Sequence, residues 1–278
     1  MKPTHARVLL TGATGGIGQA TARALLRAGA SLLLVGRSEG ALDEMSRQLT
    51  AAGASASRVR WFAADLTQAR DLQRLVIEAA RLDCNVVIHG AGLPSFGAFQ
   101  TLPAADIRSV LQTNLEVPVL LTQAMLPRLL TLPQAQIVCV GSALGRMGLP
   151  GFSVYSASKF GLLGFAEALR RELADTTVRV QYIGPRTTRT RFNAPAVTAY
   201  NRATGTNEDT PEFVANAIVQ LLTDCTAERF LGFPERLAVR LNALAPAWFD
   251  RVFRKHAAHL RNSQNPTPAA PSTPLARH

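Results

Sequence analysis

Residues 6–29 read ARVLLTGATGGIGQATARALLRAG. Ala6–Thr11 is a short, continuous apolar run of strand length, the pattern of a strand buried on both faces. Gly12, Gly16 and Gly18 follow at Gly-x-x-x-Gly-x-Gly spacing, with Ala13, Thr14, Gly15 and Ile17 between them. A helical pattern covers 19–28 and stops at Gly29. Strand, glycine loop and helix in this order give the glycines a chemical use. They let the backbone turn tightly and approach a pyrophosphate, which rests against the helix N-terminus. A plain strand-to-helix turn would not need three spaced glycines.

The alternation continues outward. Strands are predicted over 31–35, 59–63, 86–89, 136–140, 178–183 and 229–232, and helices over 39–52, 68–82, 104–130 and 153–174. The helix over 104–130 is expected to be interrupted near Pro118 and Pro127. Thr210-Pro211-Glu212 reads as an N-cap with Pro at the first helical position, opening a helix to about Asp224. Residues 186–209 show no periodicity, carry Arg186, Arg189, Arg191 and Arg202, and are expected to form a lid. This order predicts an α/β protein, a doubly wound parallel sheet covered on both faces, with ligands at the carboxyl ends of the strands.

The chain has 278 residues, 47% of them hydrophobic and 18% charged, enough for one large core plus an extension. Its net charge is +11 and its pI about 10.8, a balance that suits nucleic acid, a membrane surface or an anionic small molecule. No helix-turn-helix spacing, zinc pattern or RNA-binding aromatic motif is present, so no nucleic-acid partner is expected. Cys84, Cys139 and Cys225 lie far apart in apolar surroundings and read as buried free thiols of a reducing compartment. The five histidines form no i,i+4 pair, so no metal is expected. The N-terminal residues do not read as a secretory signal, and no run approaches the ~18 apolar residues of a membrane span. A cytoplasmic protein, with membrane association at the inner face as an option, is the expectation.

Chemistry concentrates in residues 141–161, GSALGRMGLPGFSVYSASKFG. Tyr155 and Lys159 share one helix face, one turn apart. An ammonium near a phenol favours the phenolate and lowers its pKa from about 10, making a usable general acid. Ser142 closes an apolar strand and could hold a carbonyl oxygen between itself and Tyr155. The strand over 31–35 ends in Gly36-Arg37-Ser38 with no carboxylate, so Arg37 and Ser38 suit a ribose 2′-phosphate, and NADP(H) is preferred over NAD(H). Asp65, followed by Leu66, could accept from an adenine amino group or cap the next helix. Gly90-Ala91-Gly92 follows the strand over 86–89, and Asn114 sits inside a helical pattern that it disfavours.

These residues resemble the short-chain dehydrogenase/reductase family over about 6–232. The resemblance rests on Thr11–Gly18, Asp65, and the Asn114, Ser142, Tyr155, Lys159 set. It implies a Rossmann-like three-layer α/β/α fold, with Tyr155 as general acid/base and Lys159 lowering its pKa and holding the nicotinamide ribose. It further implies that Ser142 orients the substrate carbonyl and that Asn114 supports a proton relay. Hydride would pass between NADP(H) and a carbonyl or secondary alcohol. Pro185, Thr188 and Thr190 fall where the family contacts the nicotinamide. Two departures stand out: Gly90 where the family has Asn, and Arg186 where it has Gly after Pro185. Loop 93–99 and the lid would favour an apolar, lipid-like or acyl substrate, and a homodimer or homotetramer is implied.

Residues 1–232 would form the cofactor-binding domain, 233–261 an extension and 262–278 a Pro-rich disordered tail. Within 234–260, Leu237, Leu241, Leu244, Trp248, Val252 and Phe253 fall near helical spacing, with Arg236, Arg240, Arg251, Arg254 and Lys255 among them. Pro246 should kink or split this amphipathic stretch. Either it packs on the domain or it lies on an anionic membrane with Trp248, Phe249 and Phe253 inserted. The alternative to an enzyme is a non-catalytic cofactor-binding protein that engages a membrane or partner through this helix.

Overall fold

The computed structural model describes residues 1–260 apart from 255 and 259, with the side chains of Pro246, Trp248 and Phe249 also left undescribed. Seven strands, β1 (Arg7–Thr11), β2 (Ser31–Gly36), β3 (Val59–Ala63), β4 (Val86–His89), β5 (Ala135–Val140), β6 (Val178–Gly184) and β7 (Glu228–Phe230), form one sheet in the order β3-β2-β1-β4-β5-β6-β7. Every pairing is parallel. The continuous apolar runs are explained by what each face buries. Leu9, Leu33, Val87, Ile137 and Val180 join one core cluster, while Val8, Leu10, Leu32, Val86 and Val138 join the other. Side chains alternate along a strand, so a strand covered on both faces is apolar at nearly every position; the buried exceptions Gln136 and Gln181 donate to Leu222 O and Leu221 O.

The helices are α1 (Gly16–Arg27), α2 (Glu39–Ala51), α3 (Ala69–Arg81), α4 (Ala104–Leu111), α5 (Val117–Leu130), α6 (Ser153–Glu172), α7 (Pro195–Thr204), α8 (Pro211–Asp224), α9 (Glu235–Leu244) and α10 (Pro246–Val252). Helix α1 begins inside the glycine loop, three residues earlier than its apolar periodicity suggests, because glycine carries no periodic signal. Thr210 caps α8 by accepting from Phe213 N at 3.2 Å.

The expected helix over 104–130 is divided by a π-helical turn over Gln112–Glu116. Pro118 has no N–H, so it cannot send the bond that an unbroken α-helix would give the Asn114 carbonyl. A π turn at this point accommodates the loss. Pro127, by contrast, does not interrupt α5, because buried Leu121, Met125 and Leu129 hold the helix on either side of it.

Residues 186–209, aperiodic in sequence, contain α7. Its buried Val197 and Tyr200 are too few to set a period, yet Tyr200 packs edge-on against Phe96 and Phe152 at 5.1 and 5.7 Å. Pro246 does split the extension into α9 and α10. Val239 is fully buried in the core and Phe253 packs partly buried against the same cluster, so Phe253 is not free to insert in a membrane. The readings of Trp248, Phe249, Lys255 and the tail 262–278 lie outside the described side chains and residues. Cys225 is exposed, not buried, because it occupies the left-handed cap of α8 at φ 56°.

Candidate active site

At the switch point between β1 and β4 the crossovers leave in opposite directions, and a crevice opens at the strand ends. Here it is a cleft of about 880 Å³. Gly12, Thr14, Gly15, Gly16, Ile17 and Gly18 line it from the β1–α1 loop, Arg37 from the end of β2, and Asp65 and Leu66 from the end of β3. Gly90, Ala91 and Gly92 line it after β4, Ser142 after β5, Tyr155 and Lys159 on α6, and Pro185, Thr188 and Thr190 after β6. Ser38 and Asn114 do not reach the cleft surface. Ser38 instead caps α2, accepting from Ala41 N at 3.3 Å.

Close backbone approach explains the glycines. Gly12 has φ +66°, and a Cβ there would lie 2.7 Å from the Ala91 backbone. A Cβ at Gly18 would fall onto the Gly12 carbonyl. At Gly90 a Cβ would stand 2.7 Å from the Thr11 carbonyl oxygen. The ends of β1 and β4 are tied there by Thr11 Oγ1, which accepts from Gly90 N at 3.1 Å and Ala91 N at 3.2 Å. Thr190 closes over the loop, its Cγ2 2.6 Å from where a Gly16 Cβ would be.

Asp65 does not cap α3, whose N-cap is Gln68. It accepts from Thr67 N at 3.1 Å and Thr67 Oγ1 at 2.8 Å, a turn that holds the carboxylate at the cleft.

Asn114 is fully buried in the π turn. Its Oδ1 accepts from Leu93 N at 2.7 Å, and its Nδ2 donates to Leu93 O at 3.0 Å and Ser158 Oγ at 3.1 Å. Ser158 in turn donates to the Tyr155 carbonyl at 2.7 Å. Asn114 therefore braces the loop after β4 against the helix that carries Tyr155. The residues that complete this brace, Ser158 and Leu93, had no signal in the sequence.

Tyr182, on β6, carries no sequence signal beyond its strand. Its hydroxyl donates to Ser142 O and accepts from Ser142 N, both at 3.1 Å, and it is fully buried. Ser142 is thus held through its backbone while its Oγ accepts from Leu144 N at 3.1 Å.

Lys159 donates to the Val140 carbonyl at 3.0 Å, and burial pulls its pKa down to about 8. The net shift of Tyr155 runs opposite to the one expected from Lys159. Burial pushes the half-buried phenol up to about 12, with only the Ser142 hydroxyl acting the other way. Desolvation dominates the shift, while the Lys159 ammonium donates to Val140 O and stands over the ring face, 5.8 Å from its centroid.

Arg186 is not a free charge at the cleft mouth. It donates to Asp209 Oδ1 from Nη2 at 2.8 Å and from Nε at 3.0 Å, and to Glu235 Oε2 from Nη1 at 3.0 Å. It therefore clamps the far end of the lid and the start of α9 to the end of β6. The extension is fastened again where Asn242 Nδ2 donates to Arg146 O at 2.8 Å and where the Tyr200 hydroxyl meets His256 Nδ1 at 2.8 Å.

Among the described residues no group of His, Cys, Asp and Glu could hold a metal, and no helix is long and apolar enough to cross a membrane. The family model described as short chain dehydrogenase matches residues 6–201. The chain is 34% identical to dehydrogenase/reductase SDR family member 7B of Bos taurus, over 94% of this chain and 84% of that protein. It is 31% identical to ketoacyl reductase HetN of Nostoc sp., over 90% of this chain and 89% of that protein. A short-chain dehydrogenase from Sphingobium yanoikuyae solved in complex with NADPH superposes with a TM-score of 0.74 at 28% identity, covering 89% of this chain and 95% of that one. One from Streptomyces avermitilis gives 0.75 at 25% identity, covering 90% and 99%.

Proposed function

The chain belongs to the short-chain dehydrogenase family and is an oxidoreductase that uses a nicotinamide cofactor, and we propose that it is an NADP(H)-dependent reductase of an apolar, acyl-like carbonyl compound. What carries this reading is that Ser142, Tyr155 and Lys159 line one cleft with the glycine loop and Arg37. The donor set suits the cofactor. Arg37 would take the 2′-phosphate, the glycine loop and the α1 N-terminus the pyrophosphate, and Asp65 the adenine. Lys159 would hold the ribose with the donors it does not spend on Val140, and Pro185, Thr188 and Thr190 the carboxamide.

When bound, the cofactor supplies hydride to the carbonyl carbon. Ser142 Oγ orients the carbonyl oxygen, and Tyr155 gives it a proton. Lys159 stabilises the phenolate left behind, and Asn114 keeps the segment after β4 and helix α6 in register for the relay that reprotonates Tyr155.

Leu144, Met147, Leu149, Phe152, Phe192 and Val197 line the cleft and favour an apolar substrate. The ketoacyl reductase relative supports an acyl group on it. Exposed Leu111 and Phe160, on α4 and α6, support a homodimer through those helices. Exposed Leu237, Leu241, Leu244 and Val252 among arginines support peripheral contact of the extension with an anionic surface. The test of the cofactor assignment is a fluorescence titration with NADPH and NADH. NADPH binding tighter by at least about 10-fold, lost in Arg37→Ala, is expected, and a preference for NADH overturns it.

A further inference from the structure

Asn201 has a polar side chain that the mechanism leaves unused. It is 5% exposed, lines the cleft, and its Nδ2 has no hydrogen-bond partner among the described residues. Its main chain is fully committed. The carbonyl accepts from Thr206 N at 2.9 Å and Thr204 Oγ1 at 3.3 Å, which fixes Asn201 in the last turn of α7. Val197, one turn earlier, lines the cleft from the same helix face. The preceding Tyr200 is anchored by its hydroxyl to Pro150 O at 3.3 Å and by its ring to Phe152, 5.7 Å away. Phe152 lines the cleft and is the N-cap of α6, one turn before Tyr155. Asn201 therefore lines the same cleft as Tyr155, on a helix tied to the start of α6.

Leaving a buried amide donor unpaired is destabilising. That cost is relieved when a ligand in the cleft brings an acceptor. Rotation about the soft terminal torsion of Asn presents the donor to the cleft without moving the helix. We propose that Asn201 is a specificity-determining residue, whose amide donates to a second oxygen of the substrate, separate from the carbonyl held by Ser142 and Tyr155. The substrate class is then a ketone with an ester, thioester or amide oxygen nearby, in preference to a plain alkyl ketone. This inference rests on the reductase reading above.

The test compares ethyl butyrylacetate with propyl pentyl ketone, which have equal chain length and the same ketone position but differ in the ester. Wild-type full-length protein, Asn201→Leu and Asn201→Asp are measured for kcat/KM with NADPH, for ligand dissociation constants with NADP+ present, and for Tm. The wild type should prefer the keto ester. Asn201→Leu should weaken it on the order of 10- to 100-fold in both measurements, with the plain ketone unchanged within about three-fold. Asn201→Asp, which keeps the shape but loses the donor, should behave similarly. The Tm of Asn201→Leu should hold or rise, because no protein bond is lost. Equal losses on both compounds, a lowered Tm with no selectivity change, or a wild type without preference would each overturn the proposal. Asn201-dependent binding of the keto ester without reduction of either compound would contradict the reductase reading alone. Reduction of both compounds with Asn201→Leu unchanged would contradict this inference alone.

Discussion

Lys159 Nζ stands 5.8 Å from the centroid of the Tyr155 ring, one helical turn away on α6, with its ammonium donating to Val140 O at 3.0 Å. Burial drives both groups toward their neutral forms, Lys159 down to about 8 and Tyr155 up to about 12. The pair is therefore balanced by the charge on Lys159, and that charge is lost first as pH rises.

For carbonyl reduction, kcat/KM should be level at neutral pH and fall above about 8, as Lys159 deprotonates and the developing phenolate loses its cation. Lys159→Arg should move the falling limb to higher pH, since guanidinium stays charged. Stability carries the same signature. The folded pKa of about 8 lies below the ordinary 10.5, so in that window the unfolded chain binds more protons. The contribution of Lys159 to stability therefore rises with pH between those values. Chemical denaturation across that range should show the slope reduced in Lys159→Met; an unchanged slope would contradict the assignment.

Tyr182→Phe should cost about 1–3 kcal/mol in urea unfolding, because it leaves the buried N–H and carbonyl of Ser142 without their shared partner. Activity should fall as well, since Ser142 loses the bonds that fix its position. NADPH affinity should change little, as Tyr182 does not line the cleft.

Arg186→Met should destabilise the protein by about 2–4 kcal/mol, because Asp209, 8% exposed, would keep a buried carboxylate without its cation. Limited proteolysis should then cut first within 186–209 and after Gly232, the segments that Arg186 joins. Cleavage elsewhere with the lid intact would contradict the clamp.

The sheet was legible because strands buried on both faces are apolar at nearly every position, as in Leu32-Leu33-Leu34-Val35. The cleft residues were legible because they follow strands directly. What escaped was set by distance through space. The hold of Tyr182 on Ser142 depends on the β5–β6 register that pairs Cys139 with Tyr182. The clamp of Arg186 joins residues far apart in the chain, and α7 is stabilised by aromatic contacts with Phe96 and Phe152 instead of its own periodicity. The π turn had a signal in Pro118, whose missing N–H falls opposite the Asn114 carbonyl. The net direction of the Tyr155 shift was not legible, because the sequence carries the Lys159 charge but not the desolvation of the phenol.

The most direct measurement is NADPH oxidation by wild type and Tyr155→Phe with a β-keto ester, alongside NADPH binding to each. The account predicts turnover by the wild type, a loss of about 10²- to 10⁴-fold in kcat for Tyr155→Phe, and NADPH affinity retained in both. Undiminished turnover by Tyr155→Phe would contradict the assignment of Tyr155 as proton donor, and a wild type that binds NADPH but reduces no carbonyl compound would contradict the proposed activity.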